Sequence, residues 1–255
     1  MKKFNGILFL SDLDGTLLYN GALSDENKKA AEYFMENGGL FTLATGRAPD
    51  FIAKHGLVTN APVICINGTV IYDEKTGETI KKYFLPQGST EAAAFAAENF
   101  QVRKTVIFPH NEHNFDVYNV SELLSFRGSV HKIVMCFDDE PETLRAQAAL
   151  REKFGDGRAF ERSWQTGLEM RPADGGKGVC LRFLKKLTGA GTAIAAGDFE
   201  NDISMLKAAD ISYAPSGACP EAIKAAGRIT CSCENNAIAQ IIRELDEKIS
   251  KGLDL

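Results

Sequence analysis

Two aspartates one residue apart, Asp12 and Asp14, follow the apolar run Ile7-Leu8-Phe9-Leu10 and lead straight into Gly15 and Thr16. Carboxylates this close repel each other unless a cation or a shared proton relieves them. A hard divalent cation such as Mg²⁺ suits them, because it takes a few carboxylates together with phosphate oxygens. Further along, Thr45-Gly46-Arg47 offers a hydroxyl and a backbone N–H suited to a phosphate oxygen. Lys177 stands between glycines at the start of a predicted helix, where its charge and the helix dipole both favour an anion. Asp198 closes a run of small residues, and Asn201 and Asp202 follow within one turn. Three acids, one lysine and one threonine at strand or helix ends thus compose a candidate Mg²⁺-and-phosphate site.

Competing chemistries lack their required residues. An EF-hand loop beginning at Asp12 needs glycine at its sixth position and glutamate at its twelfth, where Leu17 and Leu23 stand. A P-loop ending on Lys177 needs glycine at 171 and a hydroxyl at 178, where the chain has Arg171 and Gly178. Cys65, Cys136, Cys180, Cys219, Cys231 and Cys233 form no C-x-x-C pair, so neither a zinc ribbon nor a thioredoxin motif is expected. The H-x-x-H spacing of His110 and His113 falls in a polar loop with no third ligand nearby in sequence, which favours a surface role.

The elements that must position these groups alternate strand and helix. Ile7–Leu10 reads as a strand buried on both faces, with Asp12 and Asp14 at its carboxyl end, where open α/β sheets place their ligands. Ser24 is a good N-cap for a helix that Gly38-Gly39 stops, and Leu40–Ala44 is the next buried strand. Asn67-Gly68 signals a two-residue hairpin between Val63–Ile66 and Thr69–Tyr72, and Thr79–Phe84 can pair back. After Lys177, helices alternate with the strands Thr192–Ala196, Ile211–Ala214 and Arg228–Thr230, and a helix closes the chain. This rhythm predicts an α/β fold with a parallel sheet covered on both faces. From 85 to 168 the texture changes to helices near 90–99 and 140–154 with strands near 105–108, 114–120, 132–137 and 159–164. That segment is expected to be an inserted α/β domain, with residues 1–84 and 169–255 forming the core domain. Trp164 is expected in the insert's own core.

Composition fits an ordinary globular chain of 255 residues, 44% hydrophobic and 25% charged. A net charge of -5 argues against a general nucleic-acid binder. No signal peptide or membrane span is visible, and scattered thiols favour a cytoplasmic location.

Asp12-Leu13-Asp14-Gly15-Thr16, Thr45-Gly46-Arg47, Lys177 and Gly197-Asp198-x-x-Asn201-Asp202 resemble the four ordered motifs of the haloacid dehalogenase superfamily. Asn67-Gly68, the position of the insert, and Leu168-Glu169-Met170 ahead of Lys177 are similar to its Cof-type branch. One departure is visible: Pro215-Ser216-Gly217-Ala218 stands where that branch often has Gly-Asn-Ala. The resemblance implies a Rossmann-like core with an inserted cap, and hydrolysis of a small phosphorylated metabolite such as a sugar phosphate. It further implies Asp12 as nucleophile, Asp14 as proton carrier, and Mg²⁺ on Asp12, the Asp14 backbone carbonyl and Asp198. Thr45 and Lys177 would steady the transferring group, with Leu13, Gly46, Arg47, Asn67 and Asn201 as substrate contacts. Asp202 would orient Lys177 or the metal shell. A phosphomutase or phosphotransferase sharing the aspartyl-phosphate, and a non-catalytic phosphometabolite binder, are the alternative readings.

Overall fold

In the computed structural model, which describes residues 2–55, 57, 59–110 and 112–253, the run Ile7–Ser11 is a fully buried strand inside a five-stranded sheet. The order across that sheet is Arg228–Thr230, Ile211–Pro215, Thr192–Ala196, Ile7–Ser11 and Leu40–Leu43, every neighbouring pair parallel. Parallel neighbours need long crossovers, and the helices that make them bury one apolar stripe each. The last helix, Ala237–Ser250, buries Ile238, Ile241, Ile242 and Leu245, the spacing of one helical face. Ser24 caps the helix Asp25–Glu36 as its sequence predicts, its Oγ accepting from the Asn27 N–H at 3.1 Å. Asn27 then ties the two helices together, its Oδ1 accepting from the Ala239 N–H at 3.0 Å.

The chain divides into two compact units, Met1–Ile80 with Lys177–Leu255, and Lys81–Gly176. The second unit carries an antiparallel sheet in the order Arg158–Trp164, Gly167–Pro172, Val130–Phe137, Val102–Pro109, Phe115–Val117. Its core gathers Ala92, Ala93 and Ala96 of the helix Ser89–Asn99 and Leu150 of Glu140–Phe154 with Ile107, Ile133, Met135, Phe160 and Leu168 of the strands.

Three expectations meet a different arrangement. The division expected after residue 168 falls inside the strand Gly167–Pro172, which is paired on both sides within the second sheet. Its charges concealed it: Glu169 and Arg171 are buried, with Glu169 paired to Lys132 at 3.0 Å and Arg171 to Glu161 at 2.9 Å. The expected two-residue hairpin is instead a four-residue connection, since Cys65 pairs with Val70. Ile66, Asn67 and Gly68 all take positive φ. Their backbone bonds go elsewhere: Ile66 N–H donates to the Arg47 carbonyl at 2.9 Å and Asn67 N–H to that of Thr45 at 2.9 Å. Trp164 is not in a core. It is 43% exposed, lying over Gly167, where a Cβ would collide with its ring. His113 is exposed, and the His110 ring lies 5.0 Å from that of Phe84.

Candidate active site

Register brings the acidic segments together. Ser11 pairs with Ala196 on one side and Leu43 on the other, so Asp12, Gly197-Asp198 and Ala44-Thr45 leave the sheet side by side. The junction is pinned by backbone bonds: Asp12 N–H to the Ala196 carbonyl at 2.8 Å, and Ala44 N–H to that of Ser11 at 2.9 Å.

Lys177, the first residue of the helix Lys177–Thr188, reaches into this junction and is 1% exposed. Its Nζ donates to Asp12 Oδ1 at 2.5 Å and to Asp202 Oδ1 at 2.7 Å. The other oxygen of Asp202 accepts from the N–H groups of Asp198 at 3.0 Å and Phe199 at 3.3 Å. Two glycines make the approach sterically feasible. A Cβ on Gly197 would stand 2.5 Å from Asp202, and one on Gly178 would run into the Ser204 carbonyl. On the far side, Asp198 accepts from the Thr16 hydroxyl at 2.9 Å. Gly15, at φ +90°, leaves room for that carboxylate, which a Cβ would meet at 2.5 Å.

Carboxylate oxygens of Asp12, Asp198 and Asp202 lie within 4.8 Å of one another. Burial raises the Asp12 pKa well above the carboxylate range, and the charge of Asp202 adds to this despite Lys177. Asp198 is pushed up to about 6, by burial first and then by Asp202. For Lys177 burial favours the neutral amine, but Asp12 and Asp202 outweigh it and the pKa is raised, so the ammonium persists. With all three acids ionised the cluster carries two negative charges more than the Lys177 ammonium offsets, and a divalent cation on oxygen ligands would favour that ionised form and neutralise the surplus. The donor set therefore fits Mg²⁺.

Asp14 stands apart from that cluster. Its carboxylate is held by the Arg47 fork, Nε at 2.9 Å and Nη2 at 3.0 Å, and both side chains are nearly half exposed. Thr45 is buried, its Oγ1 accepting from the Arg47 N–H at 3.1 Å, which leaves the hydroxyl proton to donate. Gly46 passes close to Asn67, whose Oδ1 a Cβ would meet at 3.3 Å. Asn67 Oδ1 also accepts from Asn201 Nδ2 at 3.1 Å, so the two amides join the Ile66–Gly68 connection, itself bonded to Thr45, to the Asp198 loop. Asn201 Oδ1 is buried and has no partner among the described residues. Leu13, between Asp12 and Asp14 in sequence, is fully buried. After Pro215-Ser216-Gly217-Ala218, the Cys219 N–H donates to the Asp198 carbonyl at 2.9 Å, anchoring that departing loop to the site. Thr16 is a site residue that its motif leaves without a role, although a hydroxyl two residues past the second acid is a readable signal.

A sequence model of the haloacid dehalogenase-like hydrolases matches residues 9–242. The chain is 25% identical over 278 residues to the 5-amino-6-(5-phospho-D-ribitylamino)uracil phosphatase YwtE of Bacillus subtilis, covering 92% of this chain and 96% of that one. Among solved structures, the subclass IIB sugar phosphatase BT4131 superposes with a TM-score of 0.77 at 19% identity, covering 94% of this chain and 98% of that one. BT1666 of Bacteroides thetaiotaomicron, from a study of phosphatases of this superfamily, gives 0.76 at 22% identity, with 96% of each chain covered. At such identities the structures establish the shared fold. The match of the family model spans every strand end that carries an acid here, and the chain belongs to the haloacid dehalogenase-like hydrolases.

Proposed function

We propose that this hydrolase is a Mg²⁺-dependent phosphatase acting on a small phosphorylated metabolite, a sugar phosphate or similar, through an aspartyl-phosphate. The observation that carries the reading is the buried Asp12 carboxylate, held by Lys177 at 2.5 Å inside a cluster with two further acids. A carboxylate so placed is aimed and partly desolvated, as a nucleophile needs to be. That YwtE and BT4131 carry phosphatase names supports the reaction class.

In this mechanism an Asp12 oxygen attacks phosphorus while the bond to the leaving oxygen breaks. Asp14 gives that oxygen a proton, and later takes one from the water that cleaves the acyl phosphate. Two of the three Lys177 N–H groups serve Asp12 and Asp202, which leaves the third for a phosphate oxygen. The Thr45 hydroxyl and the N–H groups of Leu13 and Gly46 complete an oxyanion cradle, with Arg47, Asn67 and Asn201 as further substrate contacts. Asp202 positions Lys177. Asp12, the Asp14 backbone carbonyl and Asp198 would hold Mg²⁺, which when bound offsets the repulsion between carboxylate and phosphate. Most of the substrate selectivity is assigned to the second unit, Lys81–Gly176, as a cap. A cytoplasmic location belongs to the same proposal, supported by six cysteines that are all free thiols. No helix among the described residues is long and apolar enough to cross a membrane.

Incubation with a panel of phosphorylated sugars, nucleotides and cofactors tests the proposal. Release of inorganic phosphate that requires Mg²⁺ is the expected result. Transfer of the phosphoryl group to a second hydroxyl, with no phosphate released, would favour a phosphotransferase instead.

A further inference from the structure

The Asp14 carboxylate is cast as a proton carrier, yet both its oxygens are occupied by the Arg47 fork at 2.9 and 3.0 Å. On the side that faces Arg47 each oxygen already accepts an N–H, so neither can carry a proton there to a leaving oxygen until substrate binding changes this pairing. The structure shows how that can happen. Asp14 is 45% exposed and Arg47 48%, and an ion pair so open to water is weakly held. Arg47 does not need Asp14 to stay in place. Its N–H donates to Thr45 Oγ1 at 3.1 Å, its carbonyl accepts from Ile66 N–H at 2.9 Å, and its Cζ rests 4.6 Å from the Phe51 ring centroid. The Arg47 backbone is thus fixed and its guanidinium is backed by the Phe51 ring, while the donors that meet Asp14 belong to an exposed ion pair. The buried donors are committed elsewhere: Lys177 is wholly enclosed among Asp12 and Asp202, where only the transferring phosphate would reach it.

The geometry points to Arg47 as a specificity-determining residue whose fork exchanges Asp14 for a second oxyanion, carboxylate or phosphate, on the leaving-group side of the substrate. The exchange replaces one bidentate, charge-assisted pair by another and releases Asp14 to the leaving oxygen. The substrate class is then a small phosphate monoester that bears a second acidic group. This assignment rests on the phosphatase reading above.

The test uses the full chain with Mg²⁺ and follows hydrolysis of p-nitrophenyl phosphate. Inhibition constants are measured for two matched pairs: 3-phosphoglycerate against glycerol 3-phosphate, and propane-1,3-diol bisphosphate against its monophosphate. In the unaltered protein at least one doubly anionic ester should bind about tenfold more tightly than its partner, and the pair that does so identifies the group. In Arg47→Gln that ratio should fall to within about twofold of one, whereas a merely structural role would weaken both members equally. Arg47→Lys, which keeps the charge without the fork, should fall between and serves if the glutamine variant does not fold. Ratios near one in the unaltered protein, or a ratio that survives both substitutions, overturn the inference and leave the phosphatase reading standing. Absence of p-nitrophenyl phosphate hydrolysis removes that reading, and the inference with it.

Discussion

Asp202→Asn separates a positioning role from a metal-binding one. Asp202 is fully buried, with one oxygen on Lys177 at 2.7 Å and the other on the N–H groups of Asp198 and Phe199. An asparagine has one oxygen to offer, so its NH₂ must face either the ammonium or the two amides, donor against donor. Losing a charge-assisted bond is worth about 1.5–3 kcal/mol, and breaking a buried ion pair about 3–5 kcal/mol. Two features pull the net value down. Lys177 keeps Asp12 at 2.5 Å, and the repulsion that Asp202 exerts on Asp12 and Asp198 disappears. The expected destabilisation is about 2–3 kcal/mol, which lowers Tm by about 4–12 °C for a chain of this size. Both proteins are then melted with chelator and with Mg²⁺. If Asp202 serves Lys177 and the Asp198 loop, Mg²⁺ raises Tm by similar amounts in the two, while Asp198→Asn loses the increment. An Asp202→Asn protein that melts like the parent, or that no longer responds to Mg²⁺, refutes the reasoning.

Three more outcomes are expected. Asp12→Asn should reduce turnover to background. Asp14→Asn should lose about 10²–10⁴-fold with poor leaving groups and, with p-nitrophenyl phosphate, accumulate a phosphorylated peptide containing Asp12; label on Asp14 would reverse the roles. In metal-free protein, Asp198 rises from 3.8 to about 6 on folding, so the folded state binds the extra proton. Its contribution, about 3 kcal/mol, is fully present below pH 3.8 and is lost as pH rises through 6. Chelated protein should accordingly lose stability from pH 5 to pH 7.5, more steeply than Asp198→Asn measured by the same denaturant titration; equal slopes would disprove this. Activity should vanish with EDTA and return with Mg²⁺, with Ca²⁺ a poor substitute because its looser coordination misplaces the reacting atoms; full turnover after exhaustive chelation would exclude the metal.

The acids and the lysine were legible in the sequence because each ends or begins an element with a strong local pattern. Asp12 terminates an unbroken apolar strand, Asp198 terminates Thr192–Ala196, and Lys177 opens a helix, so the chemistry could be placed before any contact was known. A parallel sheet then aligns those ends as a matter of topology. What could not be read is which polar group meets which. Lys177 and Asp12 are 165 residues apart, Thr16 and Asp198 182, and Asn201 and Asn67 134. No periodicity encodes such pairs.

Burial of charge explains the misplaced boundary as well. Reading a sequence assumes that charged residues face water, because an unpaired buried charge is prohibitively unfavourable. Glu169 and Arg171 escape that rule because Lys132 and Glu161 come to them from the neighbouring strands. In one dimension the run Leu168-Glu169-Met170-Arg171 therefore has the alternation of an edge strand, although it lies inside the sheet. Lys177 and Asp202 break the same rule in the active site, where each is fully enclosed and each satisfies the other. Glycines make room in both places: Gly178 lies against the Ser204 carbonyl and Gly197 against the Asp202 side chain, while Gly176 lies against the Arg171 guanidinium and Gly167, two residues before Glu169, under the Trp164 ring. A glycine therefore shows that something must come close, but not which side chain does, and Lys177 is more legible than Arg171 because it also opens a helix among strand-end acids.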